Sequence, residues 1–245
     1  MDQIDMSNLP KHIAIILDGN RRWAKARGLT TRDGHTEGFD NLERIAKFAE
    51  EIGIKYLTVY AFSTENWKRS QEEVNALMFI FKHNIDRYLA RLDNGTIKIR
   101  IIGEDNANVP EELKPRIQKI MEKTKDNTGL TLNIAFNYGG RAEIVHAAKE
   151  IAKMVKDGKI DISDIDEKLI SDNIYTAGQP DPDLLIRTSK ELRISNFLPW
   201  QLTYTEFYFP EKFWPEFSNE DLIEAIKVYQ SRNRRFGGRP DEKKK

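Results

Sequence analysis

The sequence predicts an α/β fold in which a mainly parallel six-stranded sheet is covered by helices on both faces. Three observations lead there. Short segments at His12–Leu17, Tyr56–Phe62, Ile97–Ile102, Thr131–Phe136, Asp183–Arg187 and Glu206–Phe209 read as strands, the first two as apolar runs and Thr131–Phe136 by its alternation. Between most of them the apolar residues change to a helical period. No Pro/Gly/Ser-rich linker and no internal repeat interrupts that alternation, which implies one domain over 1–245 and a parallel sheet.

The elements follow in order. His12–Leu17 (HIAIIL) is a buried strand that ends at Asp18-Gly19. From Phe39, the residues Leu42, Ile45, Ala46, Ala49 and Ile52 fall on one helical stripe closed by Gly53. Tyr56–Phe62 (YLTVYAF) is the second strand, rich in aromatic and β-branched residues. Val74, Leu77, Met78, Phe81, Ile85, Tyr88, Leu89 and Leu92 mark a long helix. Ile97–Ile102 is the third strand, and Pro110 leads a helix over Glu111–Thr124. After Thr131–Phe136, the residues Ile144, Ala147, Ala148, Ile151 and Val155 predict another helix. Ser218 caps the last one, which carries Leu222, Ile226 and Tyr229 and ends near Gly237–Gly238.

Composition removes several functions. Lys plus Arg and Asp plus Glu are 39 each, so the net charge is zero and the broad basic field of a non-specific nucleic-acid binder is missing. With no cysteine, disulfides, thiolate nucleophiles and Cys-based zinc sites are excluded. That is compatible with a reducing cytoplasm. Residues 1–10 read as an N-terminal extension without a signal-peptide pattern, and no run of eighteen apolar residues occurs, so any membrane contact is expected to be peripheral.

In parallel α/β sheets ligands bind beyond the carboxyl ends of the strands. After the first strand come Asp18, Gly19, Asn20, Arg21, Arg22 and Trp23: one carboxylate suited to Mg²⁺, exposed backbone N–H groups and two guanidiniums suited to phosphate. The plainer reading is a turn with solvated arginines. After the second strand come Ser63, Thr64, Glu65, Asn66, Trp67, Lys68 and Arg69, able to hold phosphate and offer an apolar wall, or simply to cap a helix. His35 either meets a phosphate, acts as an acid, or is structural. Arg187, Arg193 and Ser195, with Ile194 between the last two, form a second candidate anion clamp, and Glu206 could complete a metal site or be an edge charge. Neither a nucleotide-binding G-x-x-x-x-G-K-[ST] loop, nor G-x-G-x-x-G, nor H-E-x-x-H is present. The paired DDxxD-type motif of the all-helical trans-prenyltransferases is also missing.

HIAIILDGNRRWA (12–24), GH-x-x-GF (34–39), YAFSTENWKR (60–69), NYGGRAEI (137–144), DLLIRTSKELRISNFLPWQLTYTEFYF (183–209) and RNRRFGG (232–238) resemble, in the same order, the blocks of the cis-prenyltransferase family. The resemblance implies a Mg²⁺-dependent transferase that condenses isopentenyl diphosphate with an allylic diphosphate primer such as farnesyl diphosphate. The product would be a long-chain Z-polyprenyl diphosphate such as undecaprenyl diphosphate. It assigns Asp18 to Mg²⁺ and to the primer diphosphate, which Gly19, Asn20, Arg21, Arg22 and His35 also meet. It places Trp23 and Trp67 against the substrates and uses the Ser63–Asn66 turn, Asn66 above all, to set the reacting ends. It gives Arg187, Arg193 and Ser195 to isopentenyl diphosphate, Glu206 to the metal, and Glu191 to orienting the arginines. Leu77, Phe81, Ile85, Tyr88 and Leu89 are candidates for a tunnel wall, or ordinary core.

The resemblance further implies a homodimer in which Arg235, in the basic tail 232–245, reaches the neighbouring site. Two positions depart from the pattern. Thr31 stands where an arginine is usual, with Arg32 next to it, and Lys190 replaces a common glycine. Two other functions remain to be separated: a metal-dependent phosphohydrolase using the same clamp, and a non-catalytic partner subunit.

Overall fold

In the computed structural model, residues 4–90, 95–106 and 108–232 are described. Six strands form one sheet in the order β3-β4-β2-β1-β5-β6: β1 His12–Ile16, β2 Tyr56–Ser63, β3 Lys98–Ile102, β4 Thr131–Tyr138, β5 Leu184–Arg187 and β6 Glu206–Tyr208. Every neighbouring pair is parallel. The order turns outward on both sides of β1, so the carboxyl ends of β1, β2 and β5 meet at mid-sheet, where a cleft is expected.

Alternation along the strands builds two cores. Ile13 and Ile15 of β1, with Leu57, Val59, Ile99, Leu132, Ile134, Leu184 and Ile186, face helices α2 (Thr31–Glu51), α3 (Gln71–Leu89), α4 (Lys114–Thr124) and α7 (Asn219–Gln230). Ala14, Ile16, Ile102, Ala135 and Leu185 face the opposite side, where Tyr138, Phe197, Leu198 and Leu202 pack. Helices α5 (Gly140–Lys156) and α6 (Glu167–Ser171) also belong to the fold. No described helix is long and apolar enough to cross a membrane.

Where expectation and structure differ, the cause is local. The predicted helix from Phe39 begins at Thr31, because Thr30 and Asp33 form a capping box that the apolar period does not reveal. Its first two turns face a neighbour with Gly34 and Gly38 instead of apolar residues. Helix α1 (Asn20–Ala26) has one buried residue, Ala24, and so no stripe to read. Helix α4 begins at Lys114 rather than Glu111. Leu92, Gly237 and Gly238 lie outside the described residues, as do Arg235 and most of the basic tail.

At the amino end of the sheet, fully buried His12 is held by Pro180 O at 2.7 Å from Nδ1 and by Thr58 Oγ1 at 2.7 Å from Nε2. Thr58 in turn accepts from Asn133, which exchanges hydrogen bonds with Gln179. Burial pushes the imidazole down to about 4, against the opposing pull of Pro180 and Asp183. The neutral ring therefore stabilises the fold fully above the unfolded value near 6.5, and that stability is lost as pH falls from there to about 4. Denaturant unfolding should show the protein losing on the order of 3 kcal/mol more than His12→Gln across that interval. Equal losses in the two proteins would contradict the burial of a neutral ring.

Candidate active site

Asp18 follows β1 directly, and its main chain is fixed from three sides. Its carbonyl accepts from Thr188 Oγ1 at 2.7 Å, Ser189 Oγ at 3.0 Å and the Trp214 N–H at 2.9 Å, while its own N–H donates to Thr188 Oγ1 at 3.1 Å. Gly19 then turns the chain at φ 105°, and a Cβ there would stand 2.3 Å from Ser189 Oγ. Glycine alone fits that turn.

The arginines arrive along the sheet. Arg187 ends β5 opposite Ile16 and is 4% exposed. Its guanidinium donates to Asp18 Oδ2 at 2.9 Å, to Ser195 Oγ at 2.8 Å and to the Arg193 carbonyl. Arg22, one turn into α1, donates to Asp18 Oδ1 at 3.0 Å and to Glu191 Oε1 at 2.8 Å. Arg193 closes the ring by pairing with Glu191. Hydrogen bonds from Arg193 and then Arg22 hold Glu191 below the usual carboxylate range. The two clamps read from the sequence are thus one closed circuit, Asp18–Arg22–Glu191–Arg193–Arg187.

Around the circuit lie two adjoining compartments, a larger one of about 600 Å³ with a mixed polar and apolar lining and a mainly polar one of about 450 Å³, that share Leu17, Asp18, Asn20, His35 and Arg69. The larger also takes in Tyr60, Ser63, Glu65, Asn66, Arg187, Ser195 and Asn196. The smaller takes in Gly19, Arg21, Arg22, Glu73, Glu191 and Arg193. Three of the four buried side-chain polar atoms without a partner among the described residues line this cleft: Asn20 Oδ1, His35 Nε2 and Arg187 Nε. Buried polar groups are almost always satisfied, so such a cluster points to a polar ligand.

His35 sits on α2 beside Asn20, whose amide lies 3.5 Å from its Nδ1. Burial, then the nearby Arg69 and Arg21, push its imidazole down to about 4 despite Glu73. Its Nε2, which has no hydrogen-bond partner among the described residues, is the atom left to meet a ligand. The spacing of GH-x-x-GF has a mechanical cause. A Cβ at Gly34 would be 2.3 Å from the Asn20 carbonyl, and one at Gly38 would be 2.5 Å from Asn20 Oδ1, so this glycine pair lets α1 lie against α2.

On the far wall, β2 ends in the turn Ser63–Lys68, where Asn66 Oδ1 accepts from the Ser63 N–H at 3.0 Å. Asn196, in the left-handed conformation at φ 64°, joins three segments. It donates to Glu65 Oε1 at 2.9 Å, and its two oxygens accept from the Gly140 and Arg141 N–H groups at 2.8 and 2.9 Å. Sequence reading missed Asn196 and Tyr60. The Tyr60 ring stacks on Phe197 at 4.6 Å and its hydroxyl donates to the Tyr138 carbonyl at 3.2 Å. Only the position of both residues inside quoted blocks hinted at them.

Several predicted contacts are not brought to the cleft. Trp23, Thr31, Thr64, Trp67 and Ile194 line neither compartment. Trp23 lies under the Arg27 guanidinium at 4.7 Å. Trp67 is pinned to Asn137 Oδ1 at 2.7 Å and packs edge-on against Phe62, so it anchors the turn. Thr64 faces Gly139, and Ile194 packs into the second core. Arg32 does not stand in for the arginine missing at Thr31: its guanidinium lies 4.6 Å over the Phe79 ring. The expected pairing of Glu206 with Asp18 at a metal is corrected for the single chain. Glu206 opens β6 beside Leu184, three residues along β5 from Arg187, and its carboxylate is bound by Arg232 at 2.8 Å. Among the described residues no group of three or more His, Cys, Asp or Glu could hold a metal. Lys190 has φ 56°, which explains the fitness of glycine there, and its ammonium pairs with Glu211.

Beyond the larger compartment lies an apolar one of about 360 Å³ between α2, α3 and the β3–β4 edge, lined by Ala46, Phe81, Ile85, Tyr88, Ile97, Ile99, Leu132 and Ile134 among others. Phe39 and Leu42 line both. Of the tunnel-wall candidates, Phe81, Ile85 and Tyr88 line the apolar compartment and Leu77 the mixed one, while Leu89 packs against the core. The site can therefore hold anionic groups at one end and hydrocarbon at the other.

Comparison with known proteins agrees with that geometry. A family model described as putative undecaprenyl diphosphate synthase matches residues 16–237. The chain is 53% identical over 230 residues to an isoprenyl transferase of Clostridium perfringens, covering 94% of this chain and 90% of that one. It is 47% identical over 237 residues to the (2E,6E)-farnesyl-diphosphate-specific ditrans,polycis-undecaprenyl-diphosphate synthase of Micrococcus luteus, covering 97% and 95%. Among solved structures, lavandulyl diphosphate synthase from Lavandula x intermedia, in complex with dimethylallyl diphosphate, matches with a TM-score of 0.89 at 41% identity over 94% of this chain and 98% of that one. A probable undecaprenyl diphosphate synthase from Campylobacter jejuni matches at 0.77 and 30% identity, covering 94% and 99%. This chain belongs to the undecaprenyl diphosphate synthase family of cis-prenyltransferases.

Proposed function

We propose that this chain elongates an allylic diphosphate, with farnesyl diphosphate as primer, by successive additions of isopentenyl diphosphate to give a long-chain Z-polyprenyl diphosphate. One observation carries the proposal: a charged cleft with unpartnered buried polar atoms adjoins, across Phe39 and Leu42, an apolar compartment. A phosphohydrolase needs the first half of that arrangement and has no use for the second. A non-catalytic subunit has no need of the intact circuit at Asp18.

In each round the bond between the primer's C1 and its diphosphate oxygen breaks, with the electron pair leaving on the diphosphate. The double bond of isopentenyl diphosphate attacks C1, and a proton departs from the adjacent carbon. Arg21, Arg22, the Gly19–Asn20 N–H groups and the His35 N–H receive the primer diphosphate. Arg187, Arg193 and Ser195 receive the other. Arginine forks suit both, and charges fixed before reaction stabilise the diphosphate as it leaves. Holding both anions in one cleft aligns the reacting carbons. Asn66 is committed to the Ser63 N–H and is a poor base, so it positions the turn while a phosphate oxygen or water takes the proton.

Mg²⁺ fits the donor set, since Asp18 gives one carboxylate at the cleft and this ion prefers few carboxylates plus water and phosphate oxygens. When bound it would supply charge that stabilises the leaving diphosphate. Homodimer formation, the reach of Arg235 into a neighbouring site and peripheral membrane contact at product release belong to the same proposal. A cytoplasmic location fits the cysteine-free sequence.

Incubation of the chain with farnesyl diphosphate, labelled isopentenyl diphosphate and Mg²⁺ should give pyrophosphate and lipids longer by multiples of five carbons. Orthophosphate without longer lipid would indicate the hydrolase. Asp18→Ala should remove turnover, an effect on the order of several kcal/mol, in protein that still folds but melts earlier because Arg187 loses its buried counter-ion. Near-normal elongation by the folded variant would overturn the assignment of Asp18.

Thr31 and Arg32 give a sharper expectation. With Arg32 stacked on Phe79, Arg32→Ala should leave the KM for farnesyl diphosphate unchanged, and Thr31→Arg should lower it. A rise in that KM on removing Arg32 would mean that the stack opens to let this arginine reach the phosphate.

A further inference from the structure

The two halves of the cleft are carried by strands that do not touch. Strand β2 runs into the Ser63–Lys68 turn and β5 into the loop that carries Arg193 and Ser195, and β1 lies between them in the sheet. Ladder hydrogen bonds join neighbouring strands, so none sets the distance from turn to loop. Two side-chain bonds span it. The Tyr60 hydroxyl reaches the Ser195 carbonyl at 3.5 Å, a long contact, and Asn196 Nδ2 donates to Glu65 Oε1 at 2.9 Å. The Asn196 amide is oriented by its other end, where Oδ1 accepts from the Arg141 N–H at the start of α5, which leaves Nδ2 for Glu65. Gly139 makes room for the bridge: a Cβ there would stand 2.6 Å from Thr64 Oγ1 and 3.1 Å from Asn196 Nδ2. Glu65 and Asn196 both line the larger compartment. A carboxylate repels a diphosphate, so Glu65 serves there as a fixed acceptor and not as a phosphate ligand.

We infer that Asn196 is a positioning residue which, through its bond to Glu65, holds the Ser63–Asn66 turn at working distance from the loop that carries Arg193 and Ser195. The inference rests on the elongating activity proposed above. Each partner of the bridge is next in sequence to a group of the site: Ser195, which accepts from Arg187 at 2.8 Å, precedes Asn196, and Asn66, which accepts from the Ser63 N–H at 3.0 Å, follows Glu65. Loosening the bridge therefore lets the two half-sites drift apart. Reaction between two held molecules is steeply sensitive to such drift, about a hundredfold for 1 Å, whereas each diphosphate is held by its own arginines. Loss of the bridge slows the joining step more than it weakens either substrate.

The experiment is the single-turnover rate of the first isopentenyl addition, with the full-length chain and Mg²⁺ in excess over farnesyl diphosphate and labelled isopentenyl diphosphate saturating. Asn196→Asp keeps the acceptor for Arg141 and tolerates the left-handed backbone, but sets one carboxylate against another. Its rate should fall about tenfold or more. Its melting temperature should hold, since a negative charge at the start of α5 is favourable. Adding Glu65→Gln to it restores the bond with donor and acceptor exchanged and returns the net charge to its original value, so most of the lost rate should come back. Asn196→Gly suits φ 64° and adds no charge, and it should be slow as well. In each variant the half-saturating concentration of isopentenyl diphosphate should move less than the rate. A residue of purely structural importance would lower melting temperature and would not be rescued by the exchanged pair. A normal rate in Asn196→Asp would overturn the inference, and so would failure of the exchanged pair to rescue it. A normal rate in Asn196→Gly would overturn it too, because the defect of Asn196→Asp would then be one of charge. If Asn196→Gly melts early, Glu65→Ala removes the same bond from an exposed residue, and there a slow addition supports the bridge and a normal one overturns it. An unsubstituted chain that adds no isopentenyl unit would overturn the elongating activity and the bridge with it.

Discussion

Everything at this site depends on the circuit of charges that begins and ends at Asp18. A carboxylate beside two arginines is common on protein surfaces and there contributes little. Here Arg187 is almost fully buried and cannot be left unpaired, and Asp18 is what pairs it. The position of Asp18 is in turn fixed by backbone bonds to the segment that carries Arg187, through Thr188 and Ser189, and to Trp214. Charge placement and chain path are thus one arrangement. Loss of Asp18 would leave Arg187 a buried ion without its counter-ion, and the paired network holds the arginines in place before an anion arrives.

The sheet explains why the circuit forms where it does. With β1 between β2 and β5, three strand ends deliver Asp18, the Ser63–Asn66 turn and Arg187 to one place. Close approach then does what side chains could not. Gly34 and Gly38 bring α1 onto α2, and Gly140 admits Pro199, where an added Cβ would stand 2.0 Å from Cδ. The loop from Ser189 to Leu198 uses the left-handed region at Ser189, Lys190, Ser195, Asn196 and Leu198, a backbone cost that the bonds of Asn196 and Arg187 help to offset.

How much of this could be read beforehand follows from the kind of signal each feature leaves. The central strands were legible because buried parallel strands are continuous apolar runs, the partly exposed β3 and β6 because they are short and β-branched or aromatic, and the cleft because ligands collect at such strand ends. Asp18, Arg22, Arg187 and Ser195 follow strand ends and line the cleft for that reason, whereas His35 reaches it from α2. Helix α1 and the first half of α2 were not legible, since their faces are built from a capping box and glycines. Trp67 was misread because an indole beside a polar turn looks the same whether it meets substrate or Asn137. Glu206 opens its strand, and in a parallel sheet that puts it at the end away from the carboxyl-end cleft of the same chain. The joining of the two clamps through Glu191 depends on a fold-back between residues 187 and 193 that no spacing rule encodes.

The central claim is that one circuit of charges receives two diphosphates at once, and calorimetric titration tests it directly. The chain with Mg²⁺ is first saturated with an unreactive farnesyl thiodiphosphate, and isopentenyl diphosphate is then titrated in. The account predicts that one isopentenyl diphosphate still binds per chain. It also predicts that Arg193→Ala, which removes an exposed partner of Glu191, weakens that step by about 1.5–3 kcal/mol while the thiodiphosphate binds as before. Mutually exclusive binding of the two ligands would contradict it.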